Sequence, residues 1–370
     1  MTTRLAVLGA TGSIGRQALE IAHAHPDRLR VVALSADTNG IALAGLGVEH
    51  DVPRARLVTR EDGPGALEAL ATADDVDLVL VATPGGAGLR ATLAALEAGK
   101  SVALANKEVL VVAGHLVRAL AGGGAGERLR PVDSEHAALW QCLAGTEPAQ
   151  VARVILTASG GPFRDLAPEE LDRVTPAQAL RHPTWRMGPK VTVDSATLVN
   201  KAYEVIEAHW LFDLPYERID VLLHRESVVH ALVELADGSV MAQLAHPDMR
   251  LPIQYALLLE RVPGPAPRLD WTAERTLRFG PIDARRYPCL EIVLATALSG
   301  DLGAMAGLST ADEISVERFL AGEVGFGDIP RLLRRGAEIG ARGAGSVTSL
   351  PDIIEIDAAV RRALAPAAVS

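Results

Sequence analysis

Acidic, basic and amide side chains occur at spacings that could support metal-assisted chemistry. In Asp133-Ser-Glu135 two carboxylates lie two residues apart, so on an extended segment both would point to one face and could share a divalent cation. Asn200 and Lys201 precede Glu204 by four and three residues, which on a helix places all three on one side. Three carboxylates without clustered histidines favour Mg²⁺ or Mn²⁺ over Zn²⁺. By spacing alone, exposed acidic residues and a helical ion pair remain the alternative.

Two serines lie where a phosphate group could bind. Asp194 and Ser195 are expected to open a strong helix over 196–212. A hydroxyl beside the N–H groups of a helix start is typical of a cap, but it also suits an anion. Ser159, followed by two glycines, indicates a second turn that could accept an anion.

A loop-like segment from Arg181 to Gly188 contains cationic, aromatic and thioether side chains between a proline and a glycine. This mixture is typical of a lid that closes over substrate. The alternative is a structural loop with Trp185 packed in the core. His224 and His230 would share one face of a strand, where a core or interface role is favoured over metal binding.

A glycine-rich loop, Gly9-Ala-Thr-Gly12-Ser-Ile-Gly15, stands between an apolar strand and an amphipathic helix. This context predicts dinucleotide binding, with the pyrophosphate at the helix N-terminus and Thr11, Ser13 and Ile14 lining it. Asp37, after the second strand, favours NAD over NADP because an acidic residue there usually binds a ribose hydroxyl. The alternative is that Asp37 caps a turn.

The secondary-structure elements that must position these residues follow two patterns along the chain. Apolar runs at 4–8, 30–35, 55–59, 76–82 and 101–105 alternate with helical patterns, which predicts an α/β fold with an N-terminal Rossmann-like parallel sheet over 1–130. A central α+β catalytic, metal-binding and dimerisation domain is expected over 131–262, with strands at 151–157, 219–224, 228–234 and 239–244. Five prolines mark a linker at 263–288, and 289–370 is expected to be a C-terminal helical domain.

Composition excludes several classes of protein. The 370 residues are 49% hydrophobic and carry a formal charge of −10, which argues against disorder and gives no reason to expect nucleic-acid binding. Only Cys142 and Cys289 are present, so no disulfide framework or cysteine zinc site is expected. Neither a membrane span nor a signal peptide is expected, which makes the cytoplasm the default location.

Taken together, these motifs resemble the 1-deoxy-D-xylulose 5-phosphate reductoisomerase family over essentially the whole chain. The resemblance is carried by Gly9-Ala-Thr-Gly-Ser-Ile-Gly15, Ala105-Asn-Lys-Glu108, Pro131-Val-Asp-Ser-Glu-His136, Ala158-Ser-Gly-Gly-Pro-Phe163, His182-Pro-Thr-Trp-Arg-Met-Gly188, Val193-Asp-Ser-Ala-Thr197 with Asn200, Lys201 and Glu204, and Pro247-Asp-Met-Arg250. It implies a V-shaped, three-domain homodimer. Such an enzyme isomerises a phosphorylated ketose with the help of Mg²⁺, Mn²⁺ or Co²⁺ and reduces the product with NADPH.

The resemblance also implies residue roles. The metal ligands would be Asp133, Glu135 and Glu204, which with Lys107 form the catalytic set. Substrate would contact Ser134, Glu135, Ser159, His182, Trp185, Met187, Ser195, Asn200, Lys201 and Glu204. Cofactor would contact Gly9, Thr11, Gly12, Ser13, Ile14, Gly15, Asp37, Asn39, Ala105, Asn106, Lys107, Glu108 and Gly188.

Three segments depart from the family pattern. Asp37-Thr38-Asn39 replaces Gly-Lys/Arg-Asn, which puts NADP preference in question. His224-Arg-Glu-Ser227 replaces His-Pro-Gln-Ser near an expected dimer interface. Ser309-Thr-Ala-Asp-Glu313 replaces Asn-Ala-Ala-Asn-Glu, which is interpreted as a tolerated structural change.

Two other functions share the cofactor loop. A dehydrogenase of the homoserine or semialdehyde kind would have only the cofactor domain in common, and the semialdehyde type needs a nucleophilic cysteine, whereas Cys142 lies in an apolar helical run. A non-enzymatic nucleotide sensor would have no need of the carboxylates or of Lys201.

Overall fold

The computed structural model describes residues 2–343 and 347–365, which form two β-sheets and a C-terminal group of helices. Residues 344–346 and 366–370 of the expected helical domain lie outside the described part. None of the helices in the described ranges is both long and apolar enough to cross a membrane.

The first sheet has six parallel strands in the order β3-β2-β1-β4-β5-β6, which is the Rossmann order. The strands are β1 Thr3–Leu8, β2 Leu29–Ser35, β3 Leu57–Val58, β4 Leu78–Val81, β5 Ser101–Leu104 and β6 Leu129–Pro131. Sequence patterning predicted the first five because helices cover both faces of a parallel sheet, which makes its strands continuous apolar runs. The three-residue β6 was missed, since it lies at the expected domain boundary and ends in a proline that only an edge strand tolerates.

Five helices surround this sheet, namely α1 Ser13–Ala24, α2 Gly40–Glu49, α3 Ala66–Thr72, α4 Leu89–Glu97 and α5 Lys107–Ala121. The tight packing of the loop between β1 and α1 explains why this loop contains glycines. Gly9 has φ +89°, and a Cβ there would lie 2.6 Å from the Ala82 carbonyl oxygen. A Cβ on Gly15 would lie 2.3 Å from the Gly9 oxygen. Only glycine therefore lets α1 start this close to the ends of β1 and β4.

The second sheet has the order β10-β9-β7-β8, with β7 Val151–Ala158, β8 Ile219–Leu223, β9 Val229–Leu235 and β10 Val240–Leu244. Strand β9 is antiparallel to both β7 and β10, whereas β7 and β8 are parallel. The expected strand from His224 is wrong over its first residues, because 224–227 form a turn in which Ser227 has φ +50°. The buried His224 ring accepts hydrogen bonds from the N–H groups of Val228 and Val229, so its role is structural.

The central helices are α6 Ser134–Leu143, α7 Pro176–Ala179, α8 Pro189–Thr197, α9 Val199–Phe212 and α10 Arg250–Leu258. Two sequence predictions fail here. The expected helix over 196–212 is interrupted at Leu198, which has φ +59° between α8 and α9. Thr197 helps to end α8, because its hydroxyl accepts a hydrogen bond from the Val199 N–H. Ser195 therefore lies in the last turn of α8, not at a helix start.

The expected extended conformation at 133–135 is also wrong. Asp133 is the N-cap of α6 and accepts a hydrogen bond from the Ser134 N–H at 2.9 Å, and Glu135 lies in the first turn. Carboxylates are favoured at a helix N-terminus because the helix dipole is positive there.

The segment 263–288 is mostly irregular, as expected, and pairs with the second sheet at Leu223 and Gly280. It leads into the helices α11 Pro288–Leu298, α12 Leu302–Leu320, α13 Ile329–Gly343 and α14 Leu350–Leu364. Helix α10, although inside the expected central unit, packs into the apolar cluster of the first sheet. The division into domains therefore stays a prediction.

One partly buried lysine links the three parts of the chain. The Nζ atom of Lys190 on α8 lies 2.9 Å from Glu108 on α5, 2.8 Å from Asp194 and 2.7 Å from Asp312 on α12. Burial alone would lower the pKa of Lys190, but the three carboxylates raise it well above its ordinary value. Burial raises the pKa of Asp312 although Lys190 opposes the shift. We call these four residues the Lys190 cluster, and Asp312, one of the family departures, is part of it.

We expect Asp312→Asn to stabilise the protein at neutral pH by about 1 kcal/mol, because Glu108, whose pKa burial would raise but Lys190 lowers, still neutralises that lysine. The folded pKa of Asp312 exceeds its ordinary 3.8, so the wild-type carboxyl costs increasing stability as the pH rises above 3.8. Urea unfolding between pH 4 and 8 should show the two proteins diverging as pH rises. Glu317→Gln, exposed on the same helix, is the control, and a less stable Asn variant at neutral pH would contradict this account.

Candidate active site

A cleft with an open volume of about 1100 Å³ lies between the two sheets. Most residues predicted for the site line it, namely Ser13, Ile14, Ala105, Lys107, Asp133, Ser134, Glu135, Ser159, His182, Trp185, Met187, Gly188, Ser195, Asn200, Lys201 and Glu204. The other predicted residues are outside its lining, namely Gly9, Thr11, Gly12, Gly15, Asp37, Asn39, Asn106 and Glu108.

Three carboxylates meet on one wall of the cleft. Asp133 and Glu135 come from the start of α6, and Glu204 comes from α9. One oxygen of each lies within 4.8 Å of the others. Oxygen ligands alone suit a hard divalent cation such as Mg²⁺ or Mn²⁺, so the donor set fits the expected metal.

Two lysines partly neutralise these carboxylates. Lys107 Nζ lies 2.6 Å from Asp133 Oδ2 and 3.4 Å from Glu204 Oε1. Lys201 Nζ lies 2.9 Å from Glu135 Oε1 and also contacts Glu204. A charged group that enters the cleft would therefore change the ion pairs of both ammonium groups.

The same surroundings move two pKa values in opposite directions. Burial would raise the pKa of Asp133, but Lys107 and His136 lower it well below its usual value. Burial and the neighbouring Glu135 raise the pKa of Glu204 to about 7. Of these two carboxyl groups, Glu204 is therefore the one that a bound cation would help to keep ionised near neutral pH.

A second group of possible ligands, Asp133, His136 and Glu207, lies behind this wall. His136 and Glu207 are almost fully buried and do not line the cleft. His136 Nε2 lies 2.8 Å from the Glu204 carbonyl oxygen, so its ring supports the backbone of α9. Burial raises the pKa of Glu207 well above its ordinary value, which favours a neutral acid.

Hydroxyl groups and a histidine line a further part of the cleft, which we call the hydroxyl-lined end. His182 Nε2 lies 3.0 Å from Ser159 Oγ and 3.1 Å from Ser195 Oγ. His182 Nδ1 accepts hydrogen bonds from the N–H groups of Thr184 and Trp185, so the proton of the neutral ring must be on Nε2. Burial lowers the pKa of His182 to about 4, which keeps the ring neutral near pH 7. The histidine therefore orders both serines and the start of the 181–188 segment.

The close approach of two backbones fixes this end. Gly161 has φ +68°, and a Cβ there would lie 2.5 Å from the Ser195 carbonyl oxygen. Gly160 has φ +82°, and its carbonyl accepts a hydrogen bond from the Tyr287 hydroxyl at 2.9 Å. The glycine pair thus brings Ser159 against α8. The turn predicted at 159–161 is an irregular segment that leads into a turn at 162–165, and its use by an anion stays a prediction.

The segment Arg181–Gly188 is irregular and covers one side of the cleft, with the Trp185 ring 6.0 Å from that of His230. Eight lining residues were not predicted from the sequence, namely Thr157, Ala158, Arg186, Val191, Leu198, Ser227, His230 and Met249. Ala158, Arg186 and Met249 could have been recognised by their position, since they fall inside motifs already identified. His230 could not be recognised from the sequence, because the register of β9 decides whether its side chain faces the cleft.

The glycine-rich loop meets the cleft through Ser13 and Ile14. Gly12 is the N-cap of α1 and no side chain caps this helix, which leaves its first N–H groups for a phosphate. The loop therefore fits the expected dinucleotide. Asn39 instead caps α2, and Asn106 caps α5 and donates to two carbonyls, which are structural uses.

We expect Glu135→Gln to weaken Mn²⁺ binding at least about tenfold, because it removes one carboxylate of the cleft group. Glu207→Gln is the matched variant and should bind Mn²⁺ as the wild type does, since it resembles the neutral acid. Electron paramagnetic resonance of free Mn²⁺ measures both. Loss of binding in the Glu207 variant alone would move the metal to the buried group.

Known protein families match nearly the whole chain. A family model described as 1-deoxy-D-xylulose 5-phosphate reductoisomerase matches residues 5–62 and 47–114, and the model of that enzyme's C-terminal domain matches 129–212. A further model, described as DXP reductoisomerase C-terminal domain, matches 244–363.

Curated relatives and solved structures agree with these matches. The reductoisomerase of Thermomicrobium roseum is 50% identical over 352 residues, covering 90% of each chain, and that of Pelotomaculum thermopropionicum is 46% identical over 380 residues, covering 95% of each. A reductoisomerase structure in complex with NADPH, fosmidomycin and magnesium has a TM-score of 0.90 at 36% identity, covering 98% of this chain and 97% of that one. The Zymomonas mobilis enzyme in complex with NADPH has a TM-score of 0.87 at 37% identity, covering 98% of each. The chain belongs to the 1-deoxy-D-xylulose 5-phosphate reductoisomerase family.

Proposed function

We propose that this protein isomerises 1-deoxy-D-xylulose 5-phosphate with a divalent metal and reduces the product with NADPH to 2-C-methyl-D-erythritol 4-phosphate, in non-mevalonate isoprenoid biosynthesis. One observation carries the proposal. The three-carboxylate group, the serine-lined end and the start of α1 all open into a single cleft. The complexes of related enzymes with NADPH and magnesium support the same pair of cofactors.

Asp133, Glu135 and Glu204 would hold the metal. A bound Mg²⁺, Mn²⁺ or Co²⁺ would stabilise negative charge on substrate oxygens as the carbon skeleton rearranges. Lys107, which lies between Asp133 and Glu204, would contact the reacting end of the substrate and offset charge that develops there.

The substrate phosphate would bind at the hydroxyl-lined end. Ser159 and Ser195 are already ordered by His182. Asn200 and Lys201 also line the cleft and would reach the phosphate from the wall where Lys201 contacts Glu135 and Glu204. Binding energy from this remote group can hold a small sugar in a reactive pose. Trp185 would cover the substrate and exclude water during hydride transfer.

Cofactor would lie along the glycine-rich loop, with its pyrophosphate at the uncapped start of α1. Ala105, at the end of β5, lines the cleft between this loop and Lys107 and would approach the nicotinamide side. Asn106 and Glu108 would support the cofactor site without lining the cleft. Both side chains are buried, that of Asn106 in hydrogen bonds with backbone carbonyls and that of Glu108 in the Lys190 cluster.

The alternative enzyme classes fit the site less well. Burial raises the pKa of the Cys142 thiol, which disfavours the thiolate nucleophile of a semialdehyde dehydrogenase. A nucleotide sensor would not need the metal and phosphate groups of the cleft.

We also propose that the protein acts as a homodimer. Strand β10 pairs only with β9 among the described strands, and Val240 on it is 52% exposed, which suits pairing with another chain. Action in the cytoplasm stays a prediction.

In a steady-state assay at 340 nm, we expect NADPH oxidation that requires both 1-deoxy-D-xylulose 5-phosphate and Mn²⁺ and stops when a chelator is added. Glu204→Gln should lower turnover at least about a hundredfold, since it removes a ligand of the charge-stabilising metal. Glu217→Gln, an exposed substitution in the same part of the chain, is the control. Full turnover in the Glu204 variant would refute the assigned site.

A further inference from the structure

Two charged residues stand side by side at the edge of the first sheet where a dinucleotide would place its adenosine. Asp37 follows β2 and Arg60 follows β3, and Ser35 pairs with Val58 in the parallel register. The Arg60 N–H donates to the Asp37 carbonyl at 2.9 Å, which fixes the two backbones together. The glycine-rich loop adjoins the same edge, because the Ala10 N–H donates to the Ser35 carbonyl at 2.7 Å.

The two side chains form a two-point ion pair. Arg60 Nε lies 2.7 Å from Asp37 Oδ1, and one terminal nitrogen lies 2.9 Å from Oδ2. The Arg60 side chain is nevertheless 73% exposed and that of Asp37 63% exposed. Asp37 occupies two of the five N–H donors of a guanidinium, so the others remain available to an anion.

These residues give opposite signals about the cofactor. In Rossmann domains an acidic residue here binds the ribose hydroxyls of NAD, whereas an arginine nearby accommodates the 2′-phosphate of NADP. Thr38 has no charge, and all four lysines have other contacts in the structure. Arg60 is thus the cation that the fold itself brings to Asp37.

We propose that Arg60 binds the 2′-phosphate of NADPH and that Asp37 orients the Arg60 guanidinium for this contact. The inference rests on the proposed function, since it explains how a chain with an acidic residue at this edge can use NADPH. A guanidinium held at two points offers its remaining donors in a fixed plane, which suits a phosphate. Arg60 is therefore a specificity residue outside the reaction cleft.

Binding measured without substrate tests this. Fluorescence titrations of NADPH and NADH, and calorimetry with adenosine 2′,5′-bisphosphate and 5′-AMP, compare nucleotides that differ by the 2′-phosphate alone. We expect Arg60→Gln to weaken binding of the phosphorylated member of each pair at least about tenfold and to leave the other unchanged. Arg60→Lys should lose less, because it keeps the charge.

Arg28→Gln is the control. Arg28 precedes β2, so it lies at the end of this strand away from Asp37, and it also forms an ion pair near the surface. It should leave every affinity unchanged. An equal loss for both members of a pair, or no loss, in Arg60→Gln overturns the inference while the proposed function stands. A wild type that binds NADH more tightly than NADPH overturns both the inference and the cofactor assignment.

Discussion

The constraint on which the rest of the structure depends is a group of three carboxylates, one buried and two partly buried, that two lysines only partly neutralise. Asp133, Glu135 and Glu204 face two ammonium groups, so the charges of three acids and two lysines leave one negative charge in excess. Four of the five side chains come from the first turns of α5, α6 and α9 or their caps. The helix dipole at the start of α6 favours the negative charges of Asp133 and Glu135, which offsets part of the repulsion between them. The cleft is therefore prepared for a cation before any ligand enters.

The Lys190 cluster performs a related task between the parts of the chain. It joins α5 of the first sheet, α8 beside the cleft and α12 of the C-terminal helices. Lys190 follows the 181–188 segment by two residues, so one end of that segment is anchored. Its other end is ordered by His182 through the serines. If the segment closes over substrate, as predicted for a lid, its movement would be confined to the residues between these two anchors.

Sequence patterning succeeded where the physical signal was local. Buried parallel strands, the glycine-rich loop and the acidic motifs could be identified because their patterns span few residues. The three cleft carboxylates were identified for a partly mistaken reason, since Asp133 and Glu135 converge from a helix start instead of a strand. The break at Leu198 could not be predicted, because apolar periodicity continues through it. Two of the three partners of Lys190, Glu108 and Asp312, are distant in the chain, as is the Arg60 partner of Asp37, and only tertiary packing brings these pairs together.

The left-handed leucine between α8 and α9 has a further consequence. A side chain at positive φ usually costs about 1 kcal/mol or more, and glycine would adopt this backbone more easily. Leu198, however, also lines the cleft and is 2% exposed. Its side chain thus fills space that glycine would leave empty. Replacing Leu198 with glycine would therefore relax the main chain but leave a void in the wall of the cleft, so the two effects on stability oppose each other.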